Sequence, residues 1–286
     1  MYRYSIFGSY KKLLIGISLA VLLLGCNESE NNSKAEKMNS TTLAISESTR
    51  QSLEKIKNHR ILFAHHSVGE NILNGLKVLA KELSIDFKVT SINDIPLTNK
   101  YKFVDFHPGK NGQPKTKVDG FVNKLENPGS EYVPDIALMK FCYVDFLKET
   151  DVDVVFTYYK KNLMMLKKKR PDIKFVHFTV PLMKRSYDIK EKLMRLIGRE
   201  HWIDITNVKR AKFNELLFNS FSNDPIFDIA KIESTRLDGN REEFLYKGKK
   251  YNSLVPEYTD DGGHLNKLGQ RVVAKEFIHF LADSLR

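Results

Sequence analysis

The stretch Arg60 to Leu73, RILFAHHSVGENIL, sets an apolar run directly against a polar turn and then a helical pattern, and the rest of the chain is organised around it. Ile61, Leu62, Phe63 and Ala64 are continuously apolar, as a short strand covered on both faces would be. Ile72, Leu76, Leu79 and Leu83 then recur at helical spacing. Ser67 falls at the strand-to-helix turn. In an open parallel sheet a side chain there points into the crevice at the carboxyl ends of the strands, where the first N–H groups of the following helix face a developing anion. Ser67 is therefore either a helix N-cap or a nucleophile.

The other end of the chain weighs the choice toward the nucleophile. Residues 258–269 read Tyr-Thr-Asp-Asp-Gly-Gly-His-Leu-Asn-Lys-Leu-Gly, followed by a helical run carrying Val273, Phe277, Phe280 and Leu281 on one face. Asp261 and His264 stand three residues apart in a glycine-containing loop. That spacing lets the carboxylate turn back on the imidazole and fix its tautomer, leaving the second ring nitrogen to face a serine hydroxyl. One Asp-x-x-His is weak evidence. A strand-Ser-helix early in the chain, combined with Asp-x-x-His-Leu-Asn-x-x-Gly before the last helix, is far more specific.

On these residues the chain resembles the SGNH (GDSL-like) hydrolases over roughly residues 60–286, most closely at Asp261-Gly262-Gly263-His264-Leu265-Asn266. The resemblance implies a three-layer α/β/α sandwich with a central parallel sheet, flavodoxin-like, and no cofactor or metal. It also implies Ser67 as nucleophile, His264 as base and Asp261 as its orienter. The chain departs from the family in two places. The usual Gly-Asp-Ser is replaced by His65-His66-Ser67, so one of the two histidines is expected to buttress the turn in place of the acidic residue. The usual Gly-x-Asn-Asp is absent after the strand Asp135 to Met139, where Lys140-Phe-Cys-Tyr-Val-Asp-Phe146 stands instead. The oxyanion donors implied are Ser67 itself, a glycine before the next helix (Gly112, with Gly109 the second choice), and either Cys142 or Tyr143 in place of the missing Asn.

Between these ends the chain alternates strand and helix. Phe87 to Ile92 reads as a second strand, 93–114 as a long polar loop, and Val118, Phe121, Val122 and Leu125 as one helix face. Thr150 and Asp153 resemble a capping box ahead of a helix with Val155, Tyr159, Leu163 and Leu166, and Lys174 to Pro181 is a further strand in which His177 is a packed residue. Helices are expected at Ile189 to Ile197 and Val208 to Phe218, and a last strand at Ile226 to Ala230. The order argues for βαβ units and a parallel sheet. Residues 236–256 read as a polar insertion, more simply a hairpin than a sugar-stacking platform of Tyr246, Tyr251 and Tyr258.

The first 25 residues carry Arg3, Lys11 and Lys12 before an apolar run ending Leu23-Leu24-Gly25-Cys26, which resembles a bacterial lipobox. This implies cleavage before Cys26 and lipid attachment there. Residues 1–25 are thus expected to be a lipoprotein signal peptide, 26–49 a polar flexible tether and 50–286 one hydrolase-like domain. The expected place is the bacterial cell envelope, membrane-anchored and facing the periplasm or the cell surface. Lipidation of Cys26 would leave Cys142 as the second of only two cysteines, so no disulfide framework is available. The formal charge of +11 falls to +8 once the three basic residues of 1–25 are removed, a balance suited to anionic headgroups or acidic polysaccharide. No nucleic-acid motif, repeat or metal-ligand cluster is visible. The expected activity is hydrolysis of O-acyl esters, O-acetyl groups on a polysaccharide among them, with acyl transfer to an envelope glycan or glycan binding alone as the alternatives.

Overall fold

The computed structural model describes residues 46–285 apart from 93–99, 127–131, 187, 190–192, 194–196 and 198. The expected signal peptide at 1–25, the lipidation at Cys26 and most of the tether lie outside the described residues, as does most of the helix expected at Ile189 to Ile197. The tether's expected end at residue 49 needs correction. Helix α1 (Glu47–Ile56) is already capped by Ser46, and it buries Thr49, Leu53 and Ile56. The Thr49 and Ser52 hydroxyls bond the two ring nitrogens of His279, and Arg50 Nη1 donates to the Leu83 carbonyl. These partners lie far away in sequence, so a short polar segment gives no local sign of them.

Six strands form one parallel sheet: β1 (Ile61–Ala64), β2 (Val89–Ser91), β3 (Phe103–Phe106), β4 (Ile136–Met139), β5 (Lys174–Phe178) and β6 (Ile226–Phe227), in the order β2-β3-β1-β4-β5-β6. Strand β3 falls within the stretch expected to be loop. Only four residues long and interrupted by Asp105, it shows no alternation a sequence window could find, yet Phe103, Val104 and Phe106 are buried. The sheet grows from β1 first to one side and then to the other. The crevice above β1 is therefore the switch point at which open α/β sheets bind ligands.

Helices cover both faces. Phe63, Ile136, Leu138, Val176 and Phe178 pack against α1, α2 (Val68–Glu82) and α7 (Lys267–Ser284), through residues that include Ile72, Leu76, Val273, Phe277 and Leu281. Leu62, Ala64, Val104, Met139 and Phe175 pack on the opposite face against α3 (Pro114–Glu126), α4 (Val152–Lys169) and α5 (Trp202–Ser220). Successive residues of the central strands thus feed two different cores, which is why β1 and β4 are apolar without interruption. This is the expected three-layer α/β/α sandwich. Gly75 lets α2 and α7 meet closely: a Cβ there would stand 2.3 Å from the Gln270 carbonyl oxygen.

Three local readings change. Helix α4 is capped by Asp151, whose side chain accepts from the Val154 N–H, whereas the Thr150 hydroxyl donates to the Asp145 carbonyl. The strand expected through Ala230 stops at Phe227, because Asp228 caps the short helix α6 (Ile229–Glu233). The 236–256 insertion contains an antiparallel hairpin, β7 (Glu243–Tyr246) and β8 (Lys249–Asn252), turning on Lys247 and Gly248 at φ 50° and 77°. Among the described residues no helix is long and apolar enough to cross a membrane.

Candidate active site

Strand β1 delivers the chain to Ser67, which adopts φ 53° and ψ −107°. A positive φ at a non-glycine residue is strained, by about 1–3 kcal/mol. The Ser67 side chain makes no capping bond to α2; its carbonyl instead accepts from the N–H groups of Glu70 and Asn71. The hydroxyl faces elsewhere, lying 2.6 Å from His264 Nε2. His264 Nδ1 is 2.6 Å from Asp261 Oδ2, and Asp261 Oδ1 accepts from the N–H groups of Gly263 (2.9 Å) and His264 (2.8 Å). Burial opposes ionisation of Asp261. The His264 ring and those two backbone donors outweigh it and hold the carboxyl well below the usual carboxylate range. The structure therefore brings Ser67, His264 and Asp261 into one hydrogen-bonded chain.

The loop carrying Asp261 and His264 is tied to the nucleophile's own helix. The Leu265 N–H donates to Asn71 Oδ1 at 3.0 Å, and Asn266 caps α7 by accepting from the Gly269 N–H. Asn71 is absent from the sequence-based set; its signal was its place one helical turn beyond Ser67.

The expected oxyanion donors divide. Among the described residues the Ser67 N–H has no hydrogen-bond partner and lies at the start of α2. The Gly112 N–H, by contrast, is committed at 2.8 Å to Asp145 Oδ1, which differs from its expected role. Gly109 has φ 55°, and a Cβ there would stand 2.4 Å from the Thr116 carbonyl; its N–H has no partner among the described residues. Cys142 is buried with its thiol donating to the His66 carbonyl at 3.6 Å. The Tyr143 hydroxyl lies 3.4 Å from both ring nitrogens of His264. Gly263 admits that ring, since a Cβ would meet Tyr143 Cζ at 2.6 Å. Burial, reinforced by the Asp261 charge, raises the Tyr143 pKa, so its hydroxyl keeps a proton to donate.

Two buried groups missed by sequence reasoning hold these loops. Arg210, fully buried on α5, donates from Nε and Nη2 to the Tyr143 carbonyl at 3.3 and 3.0 Å. Asp145 accepts from Lys117 Nζ (2.6 Å), the Gly112 N–H and the Cys142 N–H (2.7 Å), joining the loop before α3 to the loop after β4. Isolated in sequence, Lys117 and Arg210 read as surface cations.

Both histidines beside Ser67 brace the turn. His66 Nε2 bonds the Pro108 carbonyl at 2.8 Å, and His65 Nε2 lies 3.2 Å from Asp105. Burial lowers both pKa values, opposed by these same partners. The tyrosines of the insertion serve the local fold: Tyr258 is buried and donates to the Thr235 carbonyl, and Tyr246 donates to Glu200. His177 is packed in β5 between Tyr159 and Asp224.

Glu233 on α6 is fully buried, with Oε2 accepting from the Leu182 N–H at 2.9 Å and Oε1 without a partner among the described residues. Burial pushes its carboxyl up to about 8, against the Leu182 bond and the charges of Lys140 and Arg210. A carboxyl raised on folding contributes stability that is full below its unfolded value and is lost as pH rises through its folded value. Glu233→Gln is therefore expected to gain stability relative to the native chain between about pH 5 and pH 9. Urea midpoints measured across that range check this; a constant difference would contradict it.

No family model matches the chain, and no curated protein does. Among solved structures the chain is similar to a mutant acetyl esterase with acetate ion (14% identity, TM-score 0.43, covering 79% of this chain and 98% of that one). It is also similar to the Salmonella ser. Paratyphi A lipopolysaccharide acetyltransferase periplasmic domain (11%, 0.42, 88% and 96%). A third is the CTD of the Drosophila Oskar protein (12%, 0.40, 77% and 86%).

Proposed function

We propose that this chain is an SGNH-type serine esterase that cleaves O-acyl esters. The observation that carries the reading is the relay from the Ser67 hydroxyl through His264 to Asp261, beside an unpartnered Ser67 N–H. Ser67 Oγ attacks the ester carbonyl as His264 Nε2 takes its proton; Asp261 stabilises the imidazolium that results. The Ser67 N–H, the Gly109 N–H and the Tyr143 hydroxyl are the proposed donors to the oxyanion. His264 then returns the proton to the leaving alcohol, and water, activated in turn by His264, releases the acid and restores Ser67.

The side chains of His264 and Asp261 are 45% and 56% exposed, an open site that suits a short acyl group projecting from a large molecule such as an O-acetylated polysaccharide. The purified chain is expected to turn over 4-nitrophenyl acetate and to take up a fluorophosphonate on Ser67, located by peptide mass spectrometry. Labelling of another serine, or of none, would remove the esterase reading and leave a glycan-binding domain. Acyl transfer to an added glycan at the expense of free acetate would reassign it as a transferase. The proposed envelope location rests on Leu23-Leu24-Gly25-Cys26. Cys26→Ala should lose its lipid and leave the membrane fraction; unchanged retention and mobility would refute lipid attachment.

A further inference from the structure

A second constellation lies beside the nucleophile and takes no part in the proposed relay. β1 and β3 pair in parallel with Phe63 opposite Asp105 and Ala64 opposite Phe106, and the His65 N–H continues the ladder to the Phe106 carbonyl. This register brings His65 beside Asp105 and His107, side chains at even spacing along neighbouring strands sharing one face. The first turn of α2 adds Glu70. One donor atom from each of His65, Glu70, Asp105 and His107 lies within 4.8 Å of every other.

We propose that these four side chains form a binding site for a divalent transition-metal ion, zinc best of all. Two imidazoles and two carboxylates are the donor set such ions take, and the two carboxylates offset its charge. With ligand bonds of about 2.0–2.2 Å, the donors around a tetrahedral ion stand about 3.3–3.6 Å apart, so the widest pair of the cluster closes by up to about an ångström when the ion binds. Glu70 and His107 reach solvent and can move that far, whereas His65 is fully buried and Asp105 nearly so.

A second observation is independent of the cluster's spacing. His65 Nε2 faces Asp105, but its Nδ1, equally buried, has no hydrogen-bond partner among the described residues. His65 is thus held in the interior with one ring position open to a further partner. Gly69 lets α2 lie directly against this ring, since a Cβ there would fall 2.6 Å from Nδ1. The competing partner in the structure is Lys77, whose Nζ is 3.7 Å from Glu70. A bound ion would clamp β1, β3 and α2 together around the turn that holds Ser67.

The test uses the untagged full chain, dialysed against EDTA and titrated with zinc chloride by calorimetry, and with cobalt chloride by visible d–d absorption. The expected result is one Zn2+ per chain with low-micromolar or tighter affinity, a raised thermal midpoint, and a cobalt spectrum of a low-coordinate site. His107→Ala and Glu70→Gln, both at solvent-reaching positions, are each expected to weaken Zn2+ by tenfold or more and to abolish the thermal shift. Asp105→Asn should do the same, and if it fails to fold the two surface variants decide. Ser67→Ala should bind Zn2+ like the native chain, so the outcome is separate from that of the esterase reading. Absence of one-to-one binding, or unchanged affinity in both surface variants, would overturn the site and leave His65–Asp105 as a structural pair.

Discussion

Acetyl-ester turnover is expected to fall on the order of 10^4-fold or more in Ser67→Ala and by a comparable factor in His264→Ala, with the double variant no worse than either. The non-additivity follows from the single relay in which both act: once the hydroxyl or its base is gone, the remaining member has nothing to transfer. Asp261→Asn should lose somewhat less, since the ring keeps a hydrogen-bonding neighbour but forfeits the charge that supports the imidazolium. His66→Ala tests the asymmetry among the three imidazoles near Ser67. Its ring is engaged with the Pro108 carbonyl, so its loss should be far smaller than that of His264→Ala. An equal loss with an intact circular dichroism spectrum would overturn the assignment of the base. A companion variant separates strain from chemistry. Ser67→Gly removes the hydroxyl and also the conflict between a Cβ and φ 53°. It should be inactive yet more stable than Ser67→Ala by about 1 kcal/mol, measured by urea unfolding.

The largest expected loss of stability comes from Asp145. Both it and Lys117 are fully buried, 2.6 Å apart, and Asp145 also accepts from two backbone N–H groups on separate loops. Asp145→Ala leaves the Lys117 ammonium without a counter-charge, bonded to the neutral Asn111 Oδ1 at 2.8 Å, and strands two N–H donors in the interior; it should destabilise the fold by about 3–5 kcal/mol, the range for breaking one side of a buried ion pair. Denaturant midpoints measure it directly. A loss below about 1 kcal/mol would mean that the pair is reached by water and is not the joint proposed.

The layers of the fold were legible because β1 and β4 are buried on both faces and so carry unbroken apolar runs, with β5 broken only by Lys174 and His177, while α2, α3, α4 and α7 show apolar residues at helical spacing. Strand β3 was not, since its four residues include Asp105, and only pairing with β1 makes them a strand. Ser67, Asp261 and His264 could be picked out from a turn and a loop signature, though 197 residues separate the serine from the histidine. The supporting polar groups could not. Asp145, Lys117 and Arg210 have no local pattern, and what distinguishes them is burial, a property of neighbours supplied by other segments. Gly112 shows the same limit from the other side. A glycine before a helix is recognisable, but the partner taking its N–H is set by a carboxylate 33 residues away.

The docking of α1 has a geometric consequence for how the domain presents itself. Arg50 reaches the carbonyl of Leu83, at the C-terminal end of α2, whereas Ser67 stands at that helix's N-terminal end. Fifteen helical residues lie between, about 22 Å at 1.5 Å each. Arg50, and with it the first turn of α1, therefore lies a helix length from the reacting groups, so a label or substitution placed there reports on the fold without entering the site.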